Sequence, residues 1–392
     1  MTGRYDVLVI GAGPAGAAAA IHAARAGLSV ALIDRSRFPR AKTCGDALSN
    51  LALRELADLG VREPLEARGT PVHGAVAIFP DGFSVRRSYG ALPGCILPRF
   101  LLDEAIVRRA VEAGATLLEG HQAEHVLTES DGTLRIVARR RDGAPTSRRL
   151  ELHGRCVIGA DGPGSLARRA LGQPHAVERH LGVAATGYFT GVKLGEAHTS
   201  EHYFAKSLPH GYFWVFPAAG GESNVGVYQR ADTFKQNHKK LGHLLDGFVS
   251  EHPESFGAAE RRGPLHSWQL PLSHWGLPPA GPGILCCGDA ASGVDGLTGE
   301  GIFQALYSGR LAAESAATAL ARGGSIDAAD AKRYQRRLAR RISFPQAGRS
   351  LIQEALTQVV DHDLERFGVV QRLLELGYGG GALEITKRVG AA

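Results

Sequence analysis

Residues Cys287 to Arg310 read CGDAASGVDGLTGEGIFQALYSGR. The apolar run Gly283 to Cys287 before them has the composition of a short buried strand. The pair Gly288-Asp289 follows, and a glycine-rich turn through Gly299 and Gly301 leads into a helix rich in small residues, Ile302 to Ala321. Near the other end of the chain stands GAGPAG, with glycines at 11, 13 and 16. It lies between a strand (Tyr5 to Ile10) and a helix (Ala17 to Ala26), and a second strand (Leu28 to Ile33) ends at Asp34.

In that setting each glycine has a physical task. Gly11 permits the tight turn, Gly13 lets the backbone approach a pyrophosphate, and Gly16 lets helix and strand pack closely. The phosphates would sit on free N–H groups at a helix N-terminus, where the dipole favours negative charge. Asp34 stands close to where an acid takes up ribose hydroxyls. The two glycine-rich turns lie almost a whole chain apart and would hold the two ends of one dinucleotide. That separation points to FAD rather than to a nicotinamide cofactor held by one local unit.

The 392 residues, 44% hydrophobic and 21% charged, describe a globular chain long enough for two joined domains. No apolar run reaches the roughly 18 to 20 residues of a membrane span. The strand Val7 to Ile10 runs straight into a glycine turn, so the start reads as strand rather than as a secretion signal. Five cysteines without metal-type spacing fit a reduced, cytoplasmic protein and no metal site. Cys286 and Cys287 read as core filler. A net charge of +6 suits an anionic partner, while scattered basic residues without a recognition motif argue against nucleic acid.

Pro98-Arg99 precedes a helix (Phe100 to Ala113) and a strand near Thr116 to Leu118. A hairpin follows, Ala123 to Glu129 and Leu134 to Arg140, turning at Asp131-Gly132. Then comes CVIGADGPGSLARRALG (Cys156 to Gly172), a strand, an Asp161-Gly162 turn and a short helix. From 176 to 275 extended segments dominate: Gly182 to Phe189, Ser200 to Ala205, Tyr212 to Pro217 and Ser223 to Tyr228, with a helix near Lys239 to Ser250. Residues 72 to 90 add strands to that sheet. The chain from Asp327 to Gly377 reads as helical, with a flexible point at Gly379 to Gly381. The expected class is α/β: a Rossmann-type FAD-binding domain (1–71, 98–175, 276–322) interleaved with an antiparallel substrate sheet (72–97, 176–275), then a C-terminal helical tail (323–392).

These motifs together resemble the geranylgeranyl reductase family, within the flavoproteins shaped like p-hydroxybenzoate hydroxylase. The resemblance spans about residues 4 to 320 and is carried by GAGPAG with Asp34, FPRAKTCGDALS (Phe38 to Ser49), GYFWVFP (Gly211 to Pro217) with NVGV (Asn224 to Val227), and GDAASGVDGLTGEGI (Gly288 to Ile302). It implies that Ala15, Asp34 and the backbone near Ala123 contact the adenosine half of FAD, and that Arg99 reaches the ribose or pyrophosphate. Asp289 would bond the ribityl chain, and Gly301 with Ile302 would bring helix N–H groups to the flavin pyrimidine edge. Cys44, Gly45 and Ala47 fall in the loop expected beside the flavin ring, while Tyr212, Trp214 and Phe216 would line the substrate cavity. The chain departs from the family at Gly296, where proline is usual, and at Ala47, where glycine is.

Several positions carry two readings. Asp161 either supports FAD and NADPH docking or caps its turn. Cys44, beside Arg40 and Lys42, is a lowered-pKa thiol, a proton donor with Tyr212 as the other candidate, or a packing residue. Arg40 and Lys42 either bind the pyrophosphate or sit on a solvated loop. Tyr212, Trp214 and Phe216 alternate onto one face of a strand, as cavity wall or as sheet core. His202, His210 and His266 lie near the same sheet and read as structural. Lys332, Arg333, Arg336, Arg337, Arg340 and Arg341 form a basic helix face, either solvated or resting peripherally on the inner face of an anionic membrane. The activity implied by the family is FAD-dependent reduction of carbon–carbon double bonds in an isoprenoid or other hydrophobic substrate, with NADPH or another donor as reductant. The alternative on the same architecture is an FAD-dependent monooxygenase.

Overall fold

A computed structural model describes residues 2–141, 149–173, 178–236 and 240–379. The glycine pair at 380–381 falls outside them. Five parallel strands form the centre of the first sheet, in the order Thr116–Glu119, Val30–Asp34, Thr2–Ile10, Leu150–Gly159 and Ile284–Cys286. Their inner members are apolar runs buried on both sides: Val7, Leu8 and Val9 are all wholly inaccessible. Continuous burial of this kind is what a parallel sheet covered by helices requires. Leu150–Gly159 does double duty. Its first half pairs antiparallel with Leu134–Arg140, which in turn pairs with His121–Thr128. The hairpin therefore extends the nucleotide sheet.

Helices Pro14–Arg25 and Ile302–Leu320 lie against each other through alanine-rich faces, burying Ala15, Ala18 and Ala19 from one and Ala305, Ala312 and Ala316 from the other. The chain thus brings its two distant glycine turns side by side, because the helices that follow them pack together. The first helix starts at Pro14, three residues before the apolar alanine run, since proline suits the first turn, where no N–H is needed.

The second sheet has seven strands in the order Glu260–Pro271, Leu181–Thr190, Glu222–Arg230, Gly211–Pro217, Thr199–Tyr203, Gly74–Ile78 and Ser84–Ser88. All its neighbours are antiparallel except Thr199–Tyr203 with Gly74–Ile78. Period-two alternation sorts its side chains. Phe213 and Val215 join a cluster under helix Leu241–Glu251, whereas Tyr212, Trp214 and Phe216 point to the opposite face. The expected strand from residue 72 begins in a separate three-stranded sheet of Ala47–Leu48, Gly94–Ile96 and Thr70–Val72. Strand Glu260–Pro271 is mostly exposed, so it lacks the alternation that would have revealed it.

The tail is helical, comprising Ala328–Leu338, a π-type turn at Ala339–Ser343, Phe344–Asp361 and Gly368–Gly379. It folds back over both sheets. Tyr334 is fully buried and donates to the Cys286 carbonyl at 2.6 Å. No helix among the described residues is long and apolar enough to cross a membrane.

Candidate active site

One cleft of about 1860 Å³ runs from the end of the parallel sheet to the aromatic face of the second sheet. Every position assigned from sequence to cofactor or substrate lines it except Gly16. Gly16 works from behind. A methyl there would stand 1.8 Å from the Gly11 carbonyl oxygen, an impossible approach. Gly11 itself holds φ at +92°, the left-handed region that favours glycine. Gly13 by contrast is open towards the cleft, with only Arg40 Nη2 near, at 3.5 Å from where its Cβ would be. Asp34 braces the turn by accepting from the Ala12 and Ser36 amides, both at 2.7 Å. A carboxylate has lone pairs to spare for a ribose diol.

A cluster of opposite charges lies beside the glycine turn. Arg99 grips Asp103 with two bonds, at 2.8 and 2.9 Å, and Arg40 reaches the same carboxylate at 3.0 Å. Asp103 is wholly buried. Two guanidiniums on one acid leave a positive surplus, to which Lys42 adds. Burial and the Arg99 charge pull the Lys42 amine down to about 8 against the opposing effect of Asp289. Its Nζ rests 3.8 Å from the Trp268 ring centroid, spanning from the loop to the second sheet. Arg40 and Lys42 are therefore cleft residues, not members of a solvated loop.

The Gly288–Gly301 turn completes this wall. Burial pushes the Asp289 carboxyl up, with Lys42 and Arg99 pulling the other way. Its Oδ1 lies within 3.9 Å of the position a Gly301 side chain would take. Helices Pro14–Arg25 and Ile302–Leu320 begin at Gly13 and Gly301, and neither N-terminus has a side-chain cap. Two sets of free N–H groups thus end beside the cleft. Open amides, a positive surplus and a glycine-lined approach fit an anionic dinucleotide such as FAD.

The facing wall is aromatic and built of side chains. Trp214 and Phe216 stack at 6.0 Å, and Tyr212 and Tyr228 meet at 5.5 Å. The Tyr212 hydroxyl donates to the Thr298 carbonyl, joining this wall to the Gly288–Gly301 turn. All three residues named from sequence belong to a buried cluster with Val72, Ile96, Leu272 and Val294 and also line the cleft. His202 sits 5.4 Å from Tyr212 and 5.3 Å from Phe216, and burial lowers its pKa to about 4, keeping it neutral. His210 pairs with Glu354 at 2.7 Å, and His266 is exposed.

The loop Cys44–Asp46 is held between the walls by a polar network. Asn224 donates to the Cys44 carbonyl at 3.0 Å and to Asp46 Oδ2 at 3.1 Å, and accepts from Trp214 Nε1 at 2.9 Å and Thr186 Oγ1 at 2.7 Å. Tyr188 donates to the same Asp46 oxygen. Asp46 occupies left-handed backbone (φ 61°) and is 3% exposed; burial raises its pKa to about 6 against the pull of Tyr188, Arg99 and Asn224. Asp46 and Asn224 lie inside quoted motifs and Tyr188 outside them, and no sequence argument singled out any of the three. A motif shows that a side chain is present, not which buried neighbour it meets.

One reading needs correction. The Cys44 thiol is not lowered: burial raises it, outweighing Arg99 and Lys42. Asp161 caps its turn, accepting from Ser165 Oγ at 2.6 Å and from the Leu166 and Ala167 amides, and it also lines the cleft. On the basic helix, Arg333 pairs with Asp330 and Arg337 with Glu314, which suits a solvated face. The tail contributes more directly to the cleft. Arg349 bonds the wholly buried Asp295 at 3.0 Å, and Ile352, Leu356 and Leu374 wall the far end.

Comparison with known proteins agrees with this architecture. The profile described as FAD binding domain matches residues 4–243. A menaquinone reductase of Mycolicibacterium smegmatis is 36% identical over 80% of this chain and 76% of its own length. Digeranylgeranylglycerophospholipid reductase 1 of Methanopyrus kandleri is 32% identical over 85% and 86%. The crystal structure of a geranylgeranyl bacteriochlorophyll reductase-like protein from Thermoplasma acidophilum superimposes with a TM-score of 0.83 at 24% identity, covering 93% of this chain and 91% of that one. With its dinucleotide cleft, its four motifs and these relatives, the chain belongs to the geranylgeranyl reductase family of FAD-dependent oxidoreductases.

Proposed function

We propose that this reductase hydrogenates carbon–carbon double bonds in a long hydrophobic substrate, of polyprenyl-lipid or prenylated-quinone type. The observation that carries the reading is the continuity of the cleft. Its polar, glycine-lined stretch opens without a barrier into a chamber walled by Tyr212, Trp214, Phe216 and the tail's Ile352, Leu356 and Leu374. Such a chamber suits an oily chain, and relatives are named for reducing menaquinone and a geranylgeranyl lipid.

In this reading Gly11 and Gly13 carry the pyrophosphate with Arg40 and Arg99, and Ala15, Asp34 and Ala123 hold the adenosine end. Asp289 takes the ribityl chain, while Gly288, Gly299, Gly301 and Ile302 shape the pyrimidine edge. Cys44, Gly45 and Ala47 lie beside the ring. FAD, once bound and reduced, supplies the hydride. The protein excludes water and holds the proton that completes the addition. Cys44, whose buried thiol keeps its proton at neutral pH, and Tyr212 are the two candidates. NADPH or another small carrier is the reductant, and the enzyme works in the cytoplasm with peripheral access to a membrane.

The test is anaerobic incubation with FAD, a reductant and either a geranylgeranyl lipid or a polyprenyl quinone, read by mass spectrometry. The expected product gains two hydrogens. A product that forms only in air and gains one oxygen would overturn the reductase reading in favour of a monooxygenase.

A further inference from the structure

The second sheet turns polar groups as well as rings towards the cleft, and nearly all of them bond to protein. Trp214 Nε1 donates to Asn224 at 2.9 Å and Thr186 Oγ1 to the same oxygen at 2.7 Å. Tyr228 donates to the Gly296 carbonyl at 3.0 Å, Ser200 to the Gly74 carbonyl at 3.2 Å, and Tyr212 to the Thr298 carbonyl. Among the described residues of this face, His202 Nδ1 and Trp268 Nε1 are buried without a partner. Trp268 stands on the edge strand and carries the Lys42 ammonium over its ring. His202 stands further in, opposite Trp214 in the strand register and between Tyr212 and Phe216.

A buried polar atom left without a partner costs about 1 to 3 kcal/mol, and a bound molecule that supplies the partner removes that cost. The imidazole turns on a broad, two-fold torsion. A half-turn returns the flat ring to its own outline with nitrogen and carbon exchanged, which presents Nδ1 to the cleft that the ring lines. Charge then selects what it meets. Burial lowers the His202 pKa to about 4 against the opposing Val76 backbone, so the ring is neutral. A neutral imidazole suits an uncharged oxygen and offers a phosphate no counter-charge. The rings of Phe204, Tyr212, Trp214 and Phe216 line the same stretch and favour a flat partner. Beyond them Phe79, Val85, Leu356 and Leu374 form an apolar end that suits a chain.

We infer that His202 is the polar anchor of the substrate chamber, hydrogen-bonding a carbonyl or hydroxyl oxygen on an uncharged ring whose apolar chain runs on towards the tail. This rests on the hydrophobic-substrate reading above and narrows it to the prenylated-quinone class, against a lipid with an anionic head.

The experiment is equilibrium dialysis of the oxidised, FAD-loaded full chain against three ligands: a geranylated methylnaphthoquinone, the geranylated methylnaphthalene that lacks its oxygens, and a digeranylglycerophosphate. His202→Phe and His202→Leu both remove the hydrogen bond. Each is expected to weaken quinone binding about tenfold while the other two ligands bind as before and flavin content is kept. His202→Gln, which still meets an oxygen, should hold the quinone more tightly than either. No quinone binding by wild type, an unchanged affinity in both apolar variants, the same loss for all three ligands, or a glutamine variant no better than leucine would overturn the inference, while the two-hydrogen gain of the anaerobic assay still stands. Quinone binding that depends on His202 without any hydrogenation would leave the anchor and remove the reductase reading instead.

Discussion

On its nucleotide side the cleft is walled largely by main chain: the Gly11–Gly16 turn, the Gly299–Gly301 turn and two uncapped helix starts. On its substrate side it is walled by side chains, namely three aromatic residues of one strand, His202 and the apolar residues of the tail. At Gly11 and Gly16 the backbone wall admits almost no change, because an added methyl would meet a main-chain carbonyl oxygen at 2.3 and 1.8 Å. A wall of side chains can be reshaped one residue at a time. The first kind of surface suits a cofactor common to many reactions, and the second suits a substrate that differs among relatives.

The contrast breaks first at Gly16. Gly16→Ala puts a methyl into the Gly11 carbonyl, so we expect loss of bound flavin and destabilisation by about 3 kcal/mol or more, measured by visible absorbance and denaturant unfolding. If the variant instead binds FAD normally, the floor is not rigid in the sense argued here.

The network between the walls gives a pH signature of similar size. Asp46 has a folded pKa of about 6, raised from 3.8, so the native state binds the extra proton between those values. Its contribution is fully present below about pH 4 and is lost as pH rises through 6. Asp46→Asn removes that titration. Relative to wild type, the variant should gain about 3 kcal/mol of stability between pH 4 and pH 7, read from paired unfolding curves. A difference that is flat across this range would mean that Tyr188, Arg99 and Asn224 hold Asp46 ionised.

The two proton candidates sharpen the comparison on the substrate side. Whichever of Cys44→Ala and Tyr212→Phe removes the donor should slow double-bond reduction about a hundredfold while flavin content is kept. Equal, small effects from both would assign the proton to water. The smallest effect is expected at Gly296. A methyl there would come within 2.8 Å of Ser350 Oγ, a flexible neighbour. Gly296→Ala should cost about 1 kcal/mol, and adding Ser350→Gly should restore it.

The nucleotide side was legible in the sequence because its requirements are backbone requirements. Where φ must be positive or carbonyls must approach, glycine is demanded, and glycine spacing is visible in a string of letters. The aromatic alternation of Tyr212, Trp214 and Phe216 was legible for the same reason: strand geometry fixes the face. The partners of Asp46, Asn224 and Tyr188 were not, since 178 residues separate Asp46 from Asn224 and no local rule links them. The raised Cys44 thiol was hidden too. Basic neighbours in sequence suggested a lowered pKa, but burial outweighs them. Gly296 shows the same limit: its departure from proline is visible in the sequence, but the room it makes for Ser350 of the tail is not.

The bond between Arg349 and the buried Asp295 fastens a late helix over a turn that was translated earlier. Translation therefore delivers the turn carrying Asp295 before the helix that closes over it, and the far end of the trench gains its wall only with the last helices.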